Sequence, residues 1–316
     1  MRVAVFTEPH RGASYDDQLR FARLAEQGGY DGFFRADHYQ SMGDEPGLPG
    51  PTDAWLTLAA LARETSRIRL GTLVSSATFR LPGPLAVMVA QVDQMSGGRV
   101  ELGIGAGWYA REHLSYGIPF PDTRERFDRL AEQLDVITGL WRTPLGETFS
   151  YTGEHYQLAD APALPKPVQT PGPPVIIGGR GARRTPELAA RYADEFNMPF
   201  TSVEQTGAAY ERVREAAERV GRAESGRGAL LFSAGIVVAI GRTDAQAQRR
   251  AAPLHAKSAL PPENPVVGSP GQLVDRIGEF AKLGTERVHL RLTDLTDLDH
   301  LELIAAEVLP QLNGSR

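Results

Sequence analysis

The chain has 316 residues, 41% of them hydrophobic and 23% charged, and a net charge of −5. This is ordinary globular composition, and at this length it means two domains or one large α/β barrel; basic residues scattered along an acidic chain argue against nucleic acid or an anionic membrane as partner. The chain has no cysteine, which excludes disulfides, thiolate nucleophiles and thiolate metal sites.

The opening MRVAVF runs straight into a strand over Val3–Phe6. It lacks the charged start and long apolar run of a signal peptide, and no later run approaches the roughly 18 apolar residues of a membrane span, so the expected location is cytoplasmic. Tyr15–Gln27 carries Leu19, Phe21, Ala22, Leu24 and Ala25 on a helical stripe that Gly28-Gly29 closes. A strand follows at Asp31–Arg35, then a helix over Asp53–Glu64 with Asp53 placed to accept from its first amides. Next come a strand at Ile68–Ser75, a helix at Leu85–Met95, a strand at Arg99–Ile104 and a long helix at Asp122–Leu140. The second half repeats the alternation: strand Val175–Ile177, helix Thr185–Tyr192, strand Glu195–Met198, helix Ser202–Val220, strand Ala229–Ile240, helix Gly271–Leu283, strand Arg287–Leu292 and helix Leu298–Leu312.

Eight strands, each followed by a helix, predict a single (β/α)8 TIM barrel spanning 1–316. A doubly wound open sheet is the runner-up, but Thr7-Glu8-Pro9-His10 stands where its glycine fingerprint would follow the first strand. Three segments exceed ordinary βα connections: about 36–52, 142–174 and 242–270. Insertions of this length serve as lids or partner surfaces. The second contains TFSYTGEHYQL, which reads as a hairpin around Thr152-Gly153.

A barrel of this kind carries its active site at the C-terminal strand ends. The second strand ends in Ala36-Asp37-His38-Tyr39; a histidine there suits proton transfer, although the pair could equally cap the next segment. The third ends in Ser75-Ser76-Ala77, whose small side chains either leave room for a ring or fill a narrow mouth. The fourth reads Gly103-Ile104-Gly105-Ala106-Gly107-Trp108, followed by Arg111-Glu112-His113. Its glycines are spaced G-x-G-x-G rather than G-x-G-x-x-G, so it is no dinucleotide fingerprint. Period-two glycines clear one side of an extended chain, either for a flat ligand or for a crowded barrel wall. The fifth strand runs into Gly178-Gly179-Arg180-Gly181 and a helix start; exposed amides there make an anion site, most often for phosphate, or else a tight turn beside solvated arginines. The seven histidines show no ligand spacing and no H-E-x-x-H, so no metal is expected.

Taken together, GYDGFFRADHY, RIRLGTLVSSATFRLPGPLAVMVAQVDQMSGGRVELGIGAGWYAREHLSYGIPFP, RFDRLAEQLDVITGLW and PPVIIGGRGARRTPELAARYADEFN resemble the bacterial luciferase-like flavin and deazaflavin oxidoreductases. The resemblance runs from Val3 to about Leu309. The form GAGW…REH…YGIPFP is similar to the branch that uses coenzyme F420, a 5-deazaflavin, rather than FMN. It implies Asp37 and His38 beside the cofactor ring, Ser75-Ser76 as a non-prolyl cis peptide bulging against the ring with Ala77 next to it, and Gly105 and Gly107 as clearance for ring and ribityl chain. It further implies contacts from Trp108 and Arg111, and a phosphate loop at Gly178, Gly179, Arg180 and Gly181.

The implied chemistry is hydride transfer between the deazaflavin C5 and a small organic substrate bearing C=N, C=O or activated C=C. His38 would be the acid or base, Asp37 would orient it, and Trp108 would wall the pocket. The resemblance also implies a homodimer through the helices of the second and third units, and a separate F420 or flavin reductase as electron source. An FMN-dependent monooxygenase using oxygen and a non-catalytic cofactor-binding barrel are the alternatives. Two departures stand out. Tyr109 occupies a position where relatives of this branch often carry Asn, and Arg180, Arg183 and Arg184 add charge to the phosphate loop, which suits the polyglutamate tail of coenzyme F420.

Overall fold

Runs such as VAVF and VIIG show no polar alternation. Such strands bury both faces, which a parallel sheet wrapped by helices provides. A computed structural model describes residues 1–43, 46–255, 263, 265–292 and 294–313. Its first half consists of β1 (Arg2–Thr7), α1 (Tyr15–Gln27), β2 (Gly32–Arg35), α2 (Ala54–Glu64), β3 (Arg69–Thr72), β4 (Ser75–Ser76), α3 (Pro82–Ser96), β5 (Val100–Gly105), α4 (Ala110–Ser115) and α5 (Thr123–Arg142). Then follow β6 (Phe149–Thr152), β7 (Gln157–Ala161), β8 (Val175–Gly178), α6 (Arg184–Tyr192), β9 (Glu195–Met198), α7 (Val203–Arg219) and β10 (Leu231–Ile240). The chain closes with α8 (Asp244–Ala251), β11 (Val266–Gly268), α9 (Pro270–Ala281), β12 (Arg287–Leu292), α10 (Leu298–Glu307) and α11 (Leu309–Asn313).

The sheet runs β1-β2-β3-β5-β8-β9-β10-β12 and returns to β1, every pairing parallel, so the predicted barrel is closed. Register fixes the closure: Val3 lies opposite Val288 on one side of β1 and Ala4 opposite Gly32 on the other. The apolar core lies mainly between the strands and the helices around them. Inside the barrel the layers change along the axis. A buried charged layer of Glu101, Glu195, Arg287 and His289 occupies the N-terminal end. Above it sits a small apolar cluster of Ala4, Phe6, Phe34, Ala36 and Ile176, against which Leu73 and Phe200 pack. Asp53 caps α2 as its position predicts, accepting from the amides of Trp55 and Leu56 at 2.9 and 3.0 Å. Among the described residues no helix is long and apolar enough to cross a membrane.

The third strand departs from expectation. It is not one run over Ile68–Ser75 but two pieces, β3 and β4, separated by Leu73–Val74, and that peptide, not Ser75–Ser76, is the non-prolyl cis bond. Ser75 and Ser76 are held in parallel register with Ile104 and Gly105. Their ladder needs regular extended backbone, so the irregularity falls two residues earlier. The alternating glycines make room first for this segment. A Cβ on Gly103 would lie 2.0 Å from the Thr72 carbonyl oxygen, and one on Gly105 would lie 3.1 Å from Val74 Cγ2. Gly107, at φ +80°, is in the left-handed region and faces Ser76 Oγ. Gly103→Ala is therefore expected to push backbone against backbone and cost about 1–3 kcal/mol. Gly83→Ala, where no atom lies within 4 Å, serves as the control in urea denaturation; equal midpoints would refute the argument.

The three insertions differ in character. The 36–52 segment has no helix, and residues 44 and 45 within it lie outside the described residues. The 142–174 segment carries the predicted hairpin, β6 pairing antiparallel with β7 around Gly153. The 242–270 segment is more regular than its sequence suggests. It contains α8, the helix of the seventh unit, and β11, which adds to the edge of β10; positions 256–262 and 264 lie outside the described residues.

Candidate active site

A cavity of about 500 Å³ opens at the C-terminal ends of the strands. One wall is Leu73, Val74, Ser75 and Ser76 together with Gly105, Ala106 and Gly107. Val74 projects over the glycines of this wall, its methyl carbon 3.1 Å from where a Cβ on Gly105 would stand, and the small residues around it leave room for a flat ring against the valine. At one end the lining is Gly178, Gly179, Arg180, Gly181 and Thr185, with Thr123, Arg126 and Phe127 from the start of α5. The ends of β1, β2, β9 and β12 and the turns that follow them supply Phe6, Glu8, His10, Arg11, His38, Phe200 and Arg291.

His38 is the best-supported titratable group in the cavity. Its Nδ1 lies 2.8 Å from Oε1 of Glu112, a fully buried carboxylate whose second oxygen accepts from the Tyr39 amide at 3.0 Å. A carboxylate on Nδ1 fixes that nitrogen as the N–H donor and leaves Nε2 as the proton-accepting atom. Trp108, 44% exposed, stands at the rim with its ring edge-on to His38, centroids 6.0 Å apart. His10 lies on the other side of His38, also edge-on, at 5.1 Å. Burial, reinforced by His38, Arg11, Arg35 and Arg291, pushes His10 well below the usual histidine range, so it is neutral. Glu8 accepts from Arg291 at 2.6 Å and lies 3.5 Å from Arg11.

The far end suits an anion. α6 has no side-chain cap, so its first amides are unclaimed by Arg183, and the glycine loop feeds directly into it. Gly179 sits at φ +141° with nothing nearer to a Cβ than Thr185 at 3.6 Å. Arg126 Nε is buried without a partner in this end of the cavity. The orphaned nitrogen, the glycine cradle and the helix start fit a long, partly flat ligand carrying a phosphate.

Residues 1–264 match the model of the luciferase-like monooxygenase family. The chain belongs to this family. Among curated relatives, the F420-dependent glucose-6-phosphate dehydrogenase of Microbacterium testaceum is 36% identical over 182 residues, 57% of this chain and 52% of that one. The enzyme of the same name from Nakamurella multipartita is 35% identical over 176 residues, 55% of this chain and 49% of that one. The chain thus spans about half the length of the curated relatives it matches. Among solved structures, an F420-dependent secondary alcohol dehydrogenase in complex with an F420-acetone adduct superposes with a TM-score of 0.83 at 20% identity, covering 98% of both chains. The EDTA monooxygenase of Chelativorans sp. BNC1 gives 0.81 at 20% identity, covering 99% of this chain and 93% of that one. At these identities the structural likeness is one of fold.

Within the family frame, His38, Ser75, Ser76, Gly105, Gly107, Trp108, Gly178, Gly179, Arg180 and Gly181 all border the cavity. Three expected contacts do not. Asp37 is 1% exposed and spent on structure: its carboxylate takes Ser75 Oγ at 2.7 Å and Arg80 at 2.5 Å, and Arg80 also holds Asp53 and Tyr39. It anchors the wall rather than touching what lies on it. Ala77 is buried behind the wall, its amide donating to Gly105 and its carbonyl accepting from Gln133. Arg111 is exposed on α4 and does not line the cavity. The loop arginines are largely committed too. Arg180 donates to the carbonyls of Pro199 and Phe200 and pairs with Glu263 at 2.9 Å, and Arg184 pairs with Asp128 at 2.6 Å.

Sequence reasoning missed Glu112, His10, Arg126 and Arg291. Glu112 sits one helical turn into α4, directly after the glycine strand, and Glu8 and His10 directly follow β1; position at a strand end is the signal that finds them. Arg291, at the end of β12, carries the same mark, and Arg126, inside the first turn of α5, does not.

Proposed function

We propose that the chain is a coenzyme F420-dependent oxidoreductase that transfers a hydride between C5 of the deazaflavin and a small organic substrate. The name F420-dependent glucose-6-phosphate dehydrogenase, carried by several relatives at 34 to 36% identity, supports the cofactor. The observation that carries the reading is the His38–Glu112 pair, set in the same cavity as a wall of small residues around Val74 and an uncapped helix start suited to an anion. Bound along that wall, the deazaflavin supplies a carbon that gives or accepts a hydride and reacts poorly with oxygen.

Everything else falls to the chain. The amides of Gly178–Gly181, the start of α6 and Arg126 would hold the phosphate, and Val74 and Gly105 would back the ring. His38 Nε2 takes a proton from the substrate heteroatom, or returns it, while Glu112 holds the imidazole in its productive tautomer and balances its charge. Trp108 closes the rim and limits water. The substrate is a C=O, C=N or activated C=C compound or its reduced form, and a separate reductase or dehydrogenase recycles the coenzyme. A homodimer through α2 and α3 is consistent with Leu56 and Val87, exposed to 76% and 41% on those helices.

Tryptophan fluorescence, with Trp108 as the nearest reporter, tests the reading. Titration with coenzyme F420 is expected to give micromolar binding, and titration with FMN much weaker binding. Tight FMN binding with oxygen consumption by the reduced flavin would overturn it in favour of a monooxygenase.

A further inference from the structure

His10 has no place in the scheme so far, yet it is built into the cavity. It follows β1 in a short 3-10 turn, Pro9–Arg11, whose position is fixed by Gly12 and Ala13 amides donating to the Pro9 carbonyl. Its ring is 2% exposed, lines the cavity, and stands edge-on to His38. Its Nδ1 is buried with no hydrogen-bond partner. A neutral imidazole carries one N–H and one bare nitrogen. An orphaned acceptor is tolerated better than an orphaned N–H, so the hydrogen belongs on Nε2, at the tip of the ring. The ring that carries it lines the cavity with its centroid 5.1 Å from that of His38.

We propose that His10 is a second catalytic residue, donating an Nε2–H hydrogen bond to the substrate oxygen whose proton His38 exchanges, which makes alcohols and carbonyl compounds the substrate class. The inference rests on the F420-dependent reading of the site. In alcohol oxidation the carbinol C–H bond breaks and its electron pair goes, with the hydrogen, to the deazaflavin C5. The O–H bond breaks, its proton goes to His38 Nε2, and the C=O bond forms. His10 keeps its own proton and stabilises the oxygen as charge gathers on it. Because the surrounding Arg11, Arg35 and Arg291 and the adjacent His38 all disfavour a charged His10, it remains a donor of fixed state while His38 changes state.

The test has two arms. In the first, His10→Phe and His10→Gln are compared with the unaltered chain using coenzyme F420 and, as probes, isopropanol and glucose 6-phosphate. His10→Phe is expected to lose about 100-fold in kcat/KM with unchanged F420 affinity, and His10→Gln, whose amide restores a donor, to recover part of it. Wild-type turnover by His10→Phe overturns the proposal while leaving the cofactor reading intact. In the second arm, 15N NMR of the histidine-labelled protein without coenzyme is read at neutral pH. A neutral Nε2–H signal absent from the His10→Gln spectrum supports the donor, and a charged or Nδ1–H His10 overturns it. This arm decides the matter even if the protein fails to bind F420 or to turn over either probe, results that would count against the cofactor or substrate reading instead.

Discussion

His38→Ala is expected to leave binding of coenzyme F420 unchanged and to lower turnover by about 10²–10⁴-fold, the range that a positioned acid or base supplies. The cofactor wall is built from Val74, Ser75, Gly105 and Gly107, none of which depends on the imidazole for its place. Among the described residues, His38 is hydrogen-bonded by Glu112 and makes edge contacts with His10 and Trp108. Its removal should therefore delete proton transfer and little else. Glu112→Gln tests the support that the carboxylate gives. The amide oxygen can still accept from Nδ1–H while its NH2 then faces the Tyr39 amide, so a loss smaller than that of His38→Ala is expected, the joint effect of the missing charge and of one hydrogen bond. Stopped-flow reduction of the coenzyme by a substrate identified for the wild type makes the measurement. An unchanged rate in His38→Ala would remove this residue from the mechanism.

The barrel was legible because its signal is local and repeated. Doubly apolar strands such as VAVF and VIIG can be buried only between helices, and eight of them alternate with amphipathic segments. The candidate site was legible where function sits at strand ends, as with His38, Trp108 and the Gly178–Gly181 loop. What the sequence concealed depends on contacts between distant segments. Asp37 and His38 are neighbours in the chain, yet only Arg80, 43 residues on, shows that Asp37 is turned away from the cavity. The glycines at 103 and 105 look like room for a ligand; their spacing carries no sign of Thr72 and Val74, the chain's own atoms that occupy much of that room. The break at Leu73–Val74 lies inside a strand-like stretch, LGTLVSS, with no proline or Asn-Gly type turn to mark it. Helix α8 is short and strongly polar, QAQRRA, and is fastened by Arg250 to Asp297 and Asp299 at the start of α10. Its position is specified by those pairs more than by an apolar stripe.

Arg287→Met is expected to destabilise the fold by about 3–5 kcal/mol and to reverse the sign of its acid response. Arg287 is 2% exposed at the closed end of the barrel. Its guanidinium donates to Glu101 at 2.7 and 3.1 Å and to Glu195 at 2.6 Å, with Asp31 2.9 Å from Nε. Arg69 also binds Glu101, and His289 lies 2.9 Å from Glu195. Burial alone would push Glu101 up; the charge and hydrogen bonds of Arg287, helped by Arg69, outweigh it and hold the carboxyl at about 2. A carboxyl depressed on folding stabilises the native state above its unfolded pKa, and that contribution is lost as pH falls from about 4.5 toward 2. In Arg287→Met the desolvation remains while the main counter-charge is gone. Glu101 then titrates above its unfolded value, the native state binds more protons than the unfolded chain, and stability falls as pH rises toward neutrality. Urea denaturation at pH 5 and pH 7 measures both effects. A variant within about 1 kcal/mol of the parent at pH 7 would show that Arg69 and His289 neutralise the two glutamates without Arg287, and that the layer beneath the cavity is less interdependent than its distances imply.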